Sequence, residues 1–253
     1  MGISHMNSNQ IYSPYDHLID QIGRMFQSLT KYKSNTPLQP EFSPEPAGTK
    51  IHLPAPIRDL DRTLFDTIDM RRSVRQFSPE PLSAKELSTM LWATQGVTFS
   101  DERYEFRATP SAGGLYPVKT YLVTFNVSNI EQGVASYDEK DHSLRWLRSG
   151  DFRKVLCDAT IKQKMILESA AVFIWAADMN RSIWRYAQRA YRYIYLDAGH
   201  MAQNTALAAT ALRLGSCAIG AFYDDALDDL LMLDGTQQTA IYLTVIGHIR
   251  KNE

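Results

Sequence analysis

A cluster of basic and hydroxyl side chains is the first feature of the sequence that could bind a ligand. Arg71, Arg72, Ser73 and Arg75 lie within five residues of one another, directly after an amphipathic segment. Three guanidinium groups beside a hydroxyl suit a phosphate or another polyanion, and each charge-assisted contact contributes about 1.5–3 kcal/mol. The same residues are compatible with a solvated basic patch, so both interpretations are open at this point.

Two glycine-containing segments could bring backbone N–H groups close to a flat ligand. Residues 110–117 contain the adjacent Gly113 and Gly114, and residues 215–222 contain Gly220 in a short apolar run. Glycines let the backbone pass close to a ligand and expose its donors. An ordinary surface turn and a tight packing turn are the alternatives for these two segments.

Two side chains of a long predicted helix could transfer a proton. Tyr191 lies at a polar, tyrosine-rich helix entrance, and His200 follows further along the same helix. Both types of side chain can act as general acids. A structural role is the alternative for each. For His200 it is the commoner one, since a single histidine on an apolar helix is usually a hydrogen-bonded core residue.

Composition and missing motifs argue against several classes of function. The 253 residues carry a formal net charge of −1, which argues against a general nucleic-acid binder. The sequence has no apolar run long enough to span a bilayer and no signal core, so we expect a cytoplasmic protein. Cys157 and Cys217 have no metal-type spacing, which indicates two buried thiols. Signatures of a Rossmann site, a phosphate-binding loop, a metal site and a hydrolase elbow are also missing.

Proline content and apolar spacing divide the chain into three parts. Residues 1–5 resemble a vector remnant, with Met6 as the natural start. Residues 6–58 are predicted to form an N-terminal arm, with a short helix over 17–30 and an irregular, proline-rich strap over 34–56. Residues 59–253 are predicted to form the compact domain, because the arm has too few apolar residues for a core of its own.

The compact domain mixes helices and strands. A capping box of Ser83 and Glu86 predicts the start of a helix, and Gly96 predicts its end. The apolar run 171–177 predicts a buried central strand. Small residues dominate a long helix over 191–214, which predicts close packing on several sides and an end at Gly215. The remaining predicted elements are helices through 64–68, 151–159 and 161–169, a helix capped by Asp224 or Asp225, strands at 120–126 and 240–246, and a hairpin around 138–142. This mixture predicts an α+β fold with a mostly antiparallel sheet.

Taken in order, four motifs resemble those of the SagB-type dehydrogenase branch of the nitroreductase-like flavoproteins. They are residues 71–77, 110–117, 190–204 and 220–225, and residues 28–32 resemble the segment that often precedes this core. The resemblance covers about residues 60–250. It implies an α+β sandwich, with a central, mostly antiparallel sheet flanked by helices, in an intertwined homodimer that holds FMN at the subunit interface.

The resemblance also implies roles for individual residues. The basic cluster would hold the FMN phosphate, ribityl chain and pyrimidine edge, while the loop of the neighbouring subunit covers the flavin. The turn around Gly220 would offer its N–H to flavin N5. The implied cofactor-binding residues are Arg71, Arg72, Ser73, Arg75, Pro110, Ser111, Ala112, Gly113, Ile219, Gly220, Ala221 and Arg250. Tyr191 and His200 are the candidate catalytic residues, and no metal site is expected.

The implied function is that of an FMN-dependent dehydrogenase. It would act on a small-molecule or peptide-derived biosynthetic intermediate by hydride transfer through flavin N5. One alternative is an NAD(P)H-dependent reductase of nitro, quinone or alkene groups, and another is a non-catalytic flavin-binding or scaffold subunit. Relatives that oxidise azolines carry a Lys-Tyr pair where this chain has Ala190 and Tyr191, and the missing lysine argues against azoline oxidation. No nucleic-acid or membrane partner is expected.

Overall fold

The computed structural model describes residues 22–23, 25–26 and 48–250 as a sheet flanked by helices. The strands are β1 (Lys50–His52), β2 (Val97–Ser100), β3 (Glu105–Arg107), β4 (Val118–Thr124), β5 (Gly133–Asp138), β6 (Ser143–Ser149), β7 (Ala171–Asp178), β8 (Leu214–Ile219) and β9 (Gln238–His248). The α-helices are α1 (Leu64–Met70), α2 (Ala84–Gln95), α3 (Arg153–Ala159), α4 (Met165–Glu168), α5 (Asn180–Tyr186), α6 (Ala190–Ala211) and α7 (Asp224–Leu231). None of the helices in these ranges has the length and apolarity that crossing a bilayer requires.

The main sheet has seven strands in the order β1-β6-β5-β4-β7-β9-β8, and all of its pairings are antiparallel. This confirms the predicted antiparallel α+β sandwich. Strands β2 and β3 form a separate two-stranded hairpin. All eight residues of β7 are buried between β4 and β9, as the apolar run predicts.

Alternate residues of β7 supply two cores on opposite faces of the sheet. Phe173 and Trp175 pack with residues of α2 and α6. Val172 and Ile174 pack with residues of α3, α4 and α7. The two-residue period of a strand therefore fixes a three-layer arrangement of helix, sheet and helix.

The start of α2 confirms the predicted capping box. The Ser83 hydroxyl accepts a hydrogen bond from the Glu86 N–H at 3.2 Å, and the Glu86 carboxylate accepts one from the Ser83 N–H at 2.7 Å. Gly96 ends the helix. A second capping box, formed by Thr63 and Asp66 at the start of α1, was not predicted.

Three predicted helix ends are wrong. The helix predicted over 161–169 begins only at Met165, because Ile161 and Lys162 adopt left-handed φ values of 54° and 58°. Helix α6 ends at Ala211 rather than Gly215, because Arg213 adopts a left-handed φ of 64° and Gly215 already lies inside β8. At the start of α7 the N-cap is Tyr223, without a side-chain hydrogen bond, so neither Asp224 nor Asp225 caps the helix. Both carboxylates lie in the first turn of α7, where their negative charges interact favourably with the positive end of the helix dipole.

The proline-rich strap is partly regular. Lys50–His52 pair with β6 as the edge strand β1, whereas the sequence had predicted irregular chain there. The half-buried Ile51 between two exposed polar residues gives the short alternation that an edge strand needs. Of the predicted arm helix over 17–30, residues 22, 23, 25 and 26 are helical. The rest of that helix, the segment 28–32 and the strap before residue 48 lie outside the described residues.

A buried hydrogen-bond network fixes the end of the strap to the sheet and to α2. The Ser88 hydroxyl donates to the Pro54 carbonyl at 2.5 Å and lies 2.7 Å from His142 Nε2. The Tyr137 hydroxyl lies 2.7 Å from His142 Nδ1. The Leu53 N–H also donates to the His142 carbonyl at 3.1 Å. One imidazole ring therefore joins the strap, the β5–β6 hairpin and α2.

A neutral imidazole satisfies the hydrogen bonds of this network. Because Ser88 uses its proton on Pro54, it accepts from Nε2–H, which leaves Nδ1 to accept from Tyr137. Burial raises the pKa of Tyr137, so the phenol keeps its proton and donates. Burial also lowers the pKa of His142. The folded state thus binds this proton more weakly than the unfolded chain does, and stability declines as the pH falls below about 6.5 towards the folded pKa.

We predict that His142→Asn lowers the free energy of unfolding by about 1–3 kcal/mol, because it leaves buried Ser88 and Tyr137 without their shared partner. Asparagine tolerates the left-handed φ of 46° at this position, so backbone strain is not introduced. The measurement is urea denaturation between pH 7.5 and about pH 5. The same substitution at the exposed His52 is the control. If H142N and the wild type lost stability equally on acidification, His142 would not be the group that titrates.

Candidate functional site

A cavity of about 270 Å³ lies between the end of α1, one face of α6 and the strands β8 and β9. Its lining residues are Arg71, Ser73, Gly199, Ala202, Gln203, Ala206, Ser216, Ala218, Tyr242 and Thr244. Two periodicities bring these residues together. Alternate residues of β8 and β9 point to the same side of the sheet, and the four α6 residues recur at spacings of three and four along one helix face.

The basic cluster reaches this cavity because its segment runs beside β8. The Val74 N–H donates to the Ser216 carbonyl at 2.9 Å, and Ser73 forms a bridge with Ser216. A Cβ atom at Gly215 would lie 2.7 Å from Val74, and one at Gly247 would lie 2.9 Å from Phe77. The two glycines therefore permit the close packing that holds the segment on the strands.

The structure separates the four residues of the basic cluster. Arg71 and Ser73 line the cavity. Arg72 is exposed and donates to the Asp69 and Arg71 carbonyls at 2.6 and 2.8 Å, while Arg75 is exposed and makes a long contact of 3.4 Å with the Ser73 carbonyl. Two of the predicted phosphate contacts thus point at the cavity, and two lie on the surface beside it.

One polar group of the cavity has no hydrogen-bond partner within the described part of the chain. Thr244 is 1 % exposed, and its Oγ1 atom is buried and unpaired. Leaving a buried hydroxyl unpaired costs about 1–3 kcal/mol, so such groups in folded proteins normally have a partner. Thr244 is one of the residues that line the cavity, which makes a ligand there a candidate partner for its hydroxyl.

The glycine loop lies on the opposite side of α6. The Ser111 hydroxyl donates to Asp197 Oδ2 at 2.5 Å, and the Ala112 N–H donates to Asp197 Oδ1 at 3.3 Å. Gly113 and Gly114 both have a left-handed φ, of 64° and 65°, which explains the glycine pair. Pro110 is exposed at the start of the loop. The loop and the basic cluster, which the sequence assigned to one cofactor, do not meet within a single chain.

Buried hydroxyl and amide groups fix the chain that enters this loop. The Asn204 side chain donates to the Ala93 carbonyl at 3.0 Å. The hydroxyls of Thr94 and Thr205 lie 2.5 Å apart, and Thr109 donates to the Thr94 carbonyl at 3.0 Å. Helix α6 therefore holds the loop on one face and lines the cavity with another.

The predicted turn after β8 lies beside the cavity. Ile219 ends β8 with its side chain buried in the core that α3, α4 and α7 cover. Gly220 and Ala221 follow it and are exposed, next to the cavity residue Ala218. The nearest atom to a Cβ on Gly220 would be 3.9 Å away, so the backbone here is open to a ligand.

The other three predicted site residues lie outside the cavity lining among the described residues. Arg250 forms an ion pair with Glu168 on α4 at 3.3 Å. Tyr191 is half-buried and packs against the core beneath α2 and α6. His200 is exposed on α6, so the alternative interpretation of a buried core histidine is wrong.

The sequence did not identify several residues of the cavity. Gln203, Ser216, Tyr242 and Thr244 were given no site role, and the small residues of α6 were interpreted only as a packing surface. The available signals were a glutamine interrupting a stripe of small residues at helical spacing, and single hydroxyls in otherwise apolar strands. Neither signal distinguishes a cavity wall from ordinary packing before the strands are placed.

Comparisons with known proteins agree with this fold. The model of the nitroreductase family matches residues 68–248. A nitroreductase-like protein of Methanocaldococcus jannaschii is 39% identical over 170 residues, which cover 67% of this chain and 84% of the relative. The trifolitoxin operon protein TfxC of Rhizobium leguminosarum is 24% identical over 79% of this chain and 60% of its own length.

Solved structures show the same fold. The crystal structure of a nitroreductase-like protein from Anabaena variabilis has a TM-score of 0.74 and 30% identity, and it covers 90% of this chain. This chain spans only 47% of that protein. The E. coli microcin synthetase complex McbBCD contains a chain that matches with a TM-score of 0.62 at 16% identity, over 95% of both chains.

These matches confirm the predicted resemblance, and the trifolitoxin protein supports the predicted branch. The family match includes the end of α1, the loop, α6 and the strands that enclose the cavity. The chain therefore belongs to the nitroreductase family.

Proposed function

We propose that this protein is an FMN-dependent oxidoreductase that binds its flavin in the cavity beside α6 and works as a homodimer. The lining of the cavity carries the proposal, because it places the Arg71 guanidinium beside the polar groups of Ser73 and Gln203 and a wall of small side chains. Flavin bound there would supply hydride transfer through its N5 atom. The protein would supply the binding, the orientation and the exclusion of water.

The cavity residues fit a flat, phosphorylated ring system. Gly199, Ala202, Ala206 and Ala218 give the walls almost no side-chain bulk, which suits a planar ligand. Hydroxyl and amide groups of Ser73, Gln203, Ser216 and Thr244 offer donors and acceptors for a heterocycle edge and a polyol chain. The Arg71 guanidinium offers the charge-assisted contact that a phosphate requires.

The remaining predicted contacts fit this arrangement to different degrees. Arg72 and Arg75 lie at the surface beside Arg71 and would contact the phosphate end. The open backbone of Gly220 would direct its N–H towards the ring. Arg250 would have to break its ion pair with Glu168 before it could contact the phosphate. We therefore propose that it contributes only through the long-range attraction of its charge to the phosphate.

The position of the glycine loop supports the proposal that a second subunit completes the site. Residues 110–113 lie on the face of α6 that points away from the chain's own cavity, so they would cover a cavity of the partner. Helix α1 also exposes a row of large apolar side chains, and Phe65 is 81 % exposed. Exposed apolar surface of this kind is typical of subunit interfaces. Tyr191 and His200 would then deliver protons only to a substrate in the partner's cavity.

The substrate class we propose is a small-molecule or peptide-derived biosynthetic intermediate. The similarity to trifolitoxin and microcin biosynthesis proteins supports it. The missing lysine beside Tyr191 argues against azoline oxidation. Reduction of nitro, quinone or alkene groups with NAD(P)H is the second candidate, because the more similar archaeal relative is nitroreductase-like.

Anaerobic spectroscopy of the FMN-loaded protein distinguishes these candidates. Loss of the flavin absorbance on addition of NADH or NADPH would favour the reductase. Loss on addition of a reduced peptide-derived substrate, with no response to the nucleotides, would favour the dehydrogenase. A stable flavin complex that no donor reduces would favour a non-catalytic subunit, and a protein that binds no FMN would contradict the proposal.

We predict that the double variant R71A/S73A stays folded and binds FMN roughly 100-fold more weakly, because it loses a charge-assisted and a neutral hydrogen bond. Fluorescence titration of FMN measures the affinity, and circular dichroism measures the fold. The matched control is R103A/S100A, which removes the same two types of side chain from exposed positions of the β2–β3 hairpin. Equal FMN affinity for both double variants would show that the phosphate site is elsewhere.

We predict opposite effects of Thr244→Val on the apoprotein and on binding. Valine removes the unpaired hydroxyl at nearly constant shape, so the apoprotein should gain up to about 1 kcal/mol of stability. FMN affinity should fall about 2- to 10-fold, because the ligand loses a hydrogen bond. Thermal unfolding with and without FMN measures both effects. A variant whose FMN affinity matches the wild type would mean that the hydroxyl does not contact the ligand.

A further inference from the structure

We infer that Asp197 is a positioning residue for the flavin site of the partner subunit rather than for the site of its own chain. The inference rests on the proposed function and adds to it which subunit's flavin site Asp197 serves. A carboxylate on α6 sets the shape of the loop 110–116, and the loop acts across the interface. Within the described part of the chain, Asp197 is not among the residues that line the cavity.

Asp197 holds the loop backbone at two points, directly at Ala112 and through the Ser111 hydroxyl at Tyr116. Its carboxylate accepts from Ser111 Oγ at 2.5 Å and from the Ala112 N–H at 3.3 Å. The Ser111 oxygen in turn accepts from the Tyr116 N–H at 2.9 Å. Both ends of the loop are thereby fixed to a single buried carboxylate.

Helix α5 holds the outer side of the same loop. The Arg185 guanidinium contacts the Gly113 carbonyl at 3.4 Å, and Arg181 donates to the Leu115 carbonyl at 3.3 Å. A Cβ atom at Gly113 would collide with the Tyr186 hydroxyl. The loop therefore fits between α5 and α6, and its conformation depends on contacts from both helices.

The geometry of α6 separates this contact from the chain's own cavity. At about 100° per residue, Asp197 lies roughly 120–180° around the helix from Gly199, Ala202, Gln203 and Ala206. A change at Asp197 therefore alters the loop directly and the chain's own cavity wall only through the helix backbone. The loop of one chain and the cavity of the same chain are on different sides of a rigid element.

The negative charge on Asp197 strengthens its hydrogen bonds to the loop. Burial raises the pKa of Asp197, whereas the hydrogen bonds from Ser111 and Ala112 and the nearby His200 oppose that rise. Arg181 and Arg185 on α5 are the charged side chains across the loop. An ionised carboxylate accepts both hydrogen bonds at once, while the asparagine amide accepts with only one of its two atoms. D197N should therefore keep part of the hydrogen bonding to the loop, and D197A should keep none of it.

Two heterodimers with the same total set of substitutions test which subunit's cavity a change at Asp197 affects. Each contains R71A/S73A in one chain, which silences that chain's cavity, and is purified through two different affinity tags. In the first, D197A is in the other chain, so the working cavity receives an unaltered loop. In the second, D197A is in the same chain as R71A/S73A, so the working cavity is wild type but receives the altered loop.

We expect the first heterodimer to bind FMN as one wild-type site does, and the second to bind it at least about tenfold more weakly. D197N in place of D197A should give an intermediate loss in the second heterodimer. Damage to the fold would affect both heterodimers equally, since their substitutions are identical. Equal affinities, or weaker binding by the first heterodimer, would overturn the inference.

The proposed function can fail separately from this inference. A wild-type protein without FMN affinity, or an R71A/S73A homodimer with full affinity, would contradict the cavity as the flavin site whatever Asp197 does. A protein that stays monomeric and still binds FMN tightly would overturn the inference and leave the flavin site standing. The three results are separate measurements on the same preparations.

Discussion

The packing of one extended segment against the last two strands is the contact on which the site depends. Gly215 and Gly247 are neighbours in the β8–β9 pairing, and their missing side chains make room for Val74 and Phe77. The Val74 hydrogen bond to Ser216 then fixes the segment in register. Register decides the direction of each side chain, so this contact holds Ser73 at the cavity and packs Val74 on Gly215, while Arg72 and Arg75 lie on the surface.

Helix α6 gives the molecule two functional surfaces on one rigid element. Small residues on one face leave space for a ligand, and polar residues on the other face hold the loop that starts at Pro110. A loop held only by its own turns would be free to change conformation, whereas this one is bonded to a buried carboxylate. In a dimer of this fold, the same helix would therefore border one site and support the cover of the other.

Two sets of buried polar groups differ in whether their hydrogen bonds are satisfied within the chain. Ser88, Tyr137 and His142 satisfy one another, and their network fixes the strap to the sheet. Thr244 is as buried as Ser88 and Tyr137 but its hydroxyl has no partner in the region that the structure describes, and the residue lines the cavity. Because an unpaired buried hydroxyl is costly, the first arrangement stabilises the fold, whereas the Thr244 hydroxyl would gain from a partner in the cavity.

The sequence by itself determined the elements whose signals are local. The Ser83–Glu86 capping box, the apolar run of β7 and the glycine pair at 113 and 114 each follow from a few neighbouring residues, and all three are present as predicted. The order of motifs also determined the family. Only the tertiary structure decided which arginines face the cavity, which strands supply Ser216 and Thr244, and that the loop lies behind α6. These depend on contacts between residues more than eighty positions apart, such as Val74 with Ser216 and Ser111 with Asp197, and no local pattern encodes the partner of such a contact.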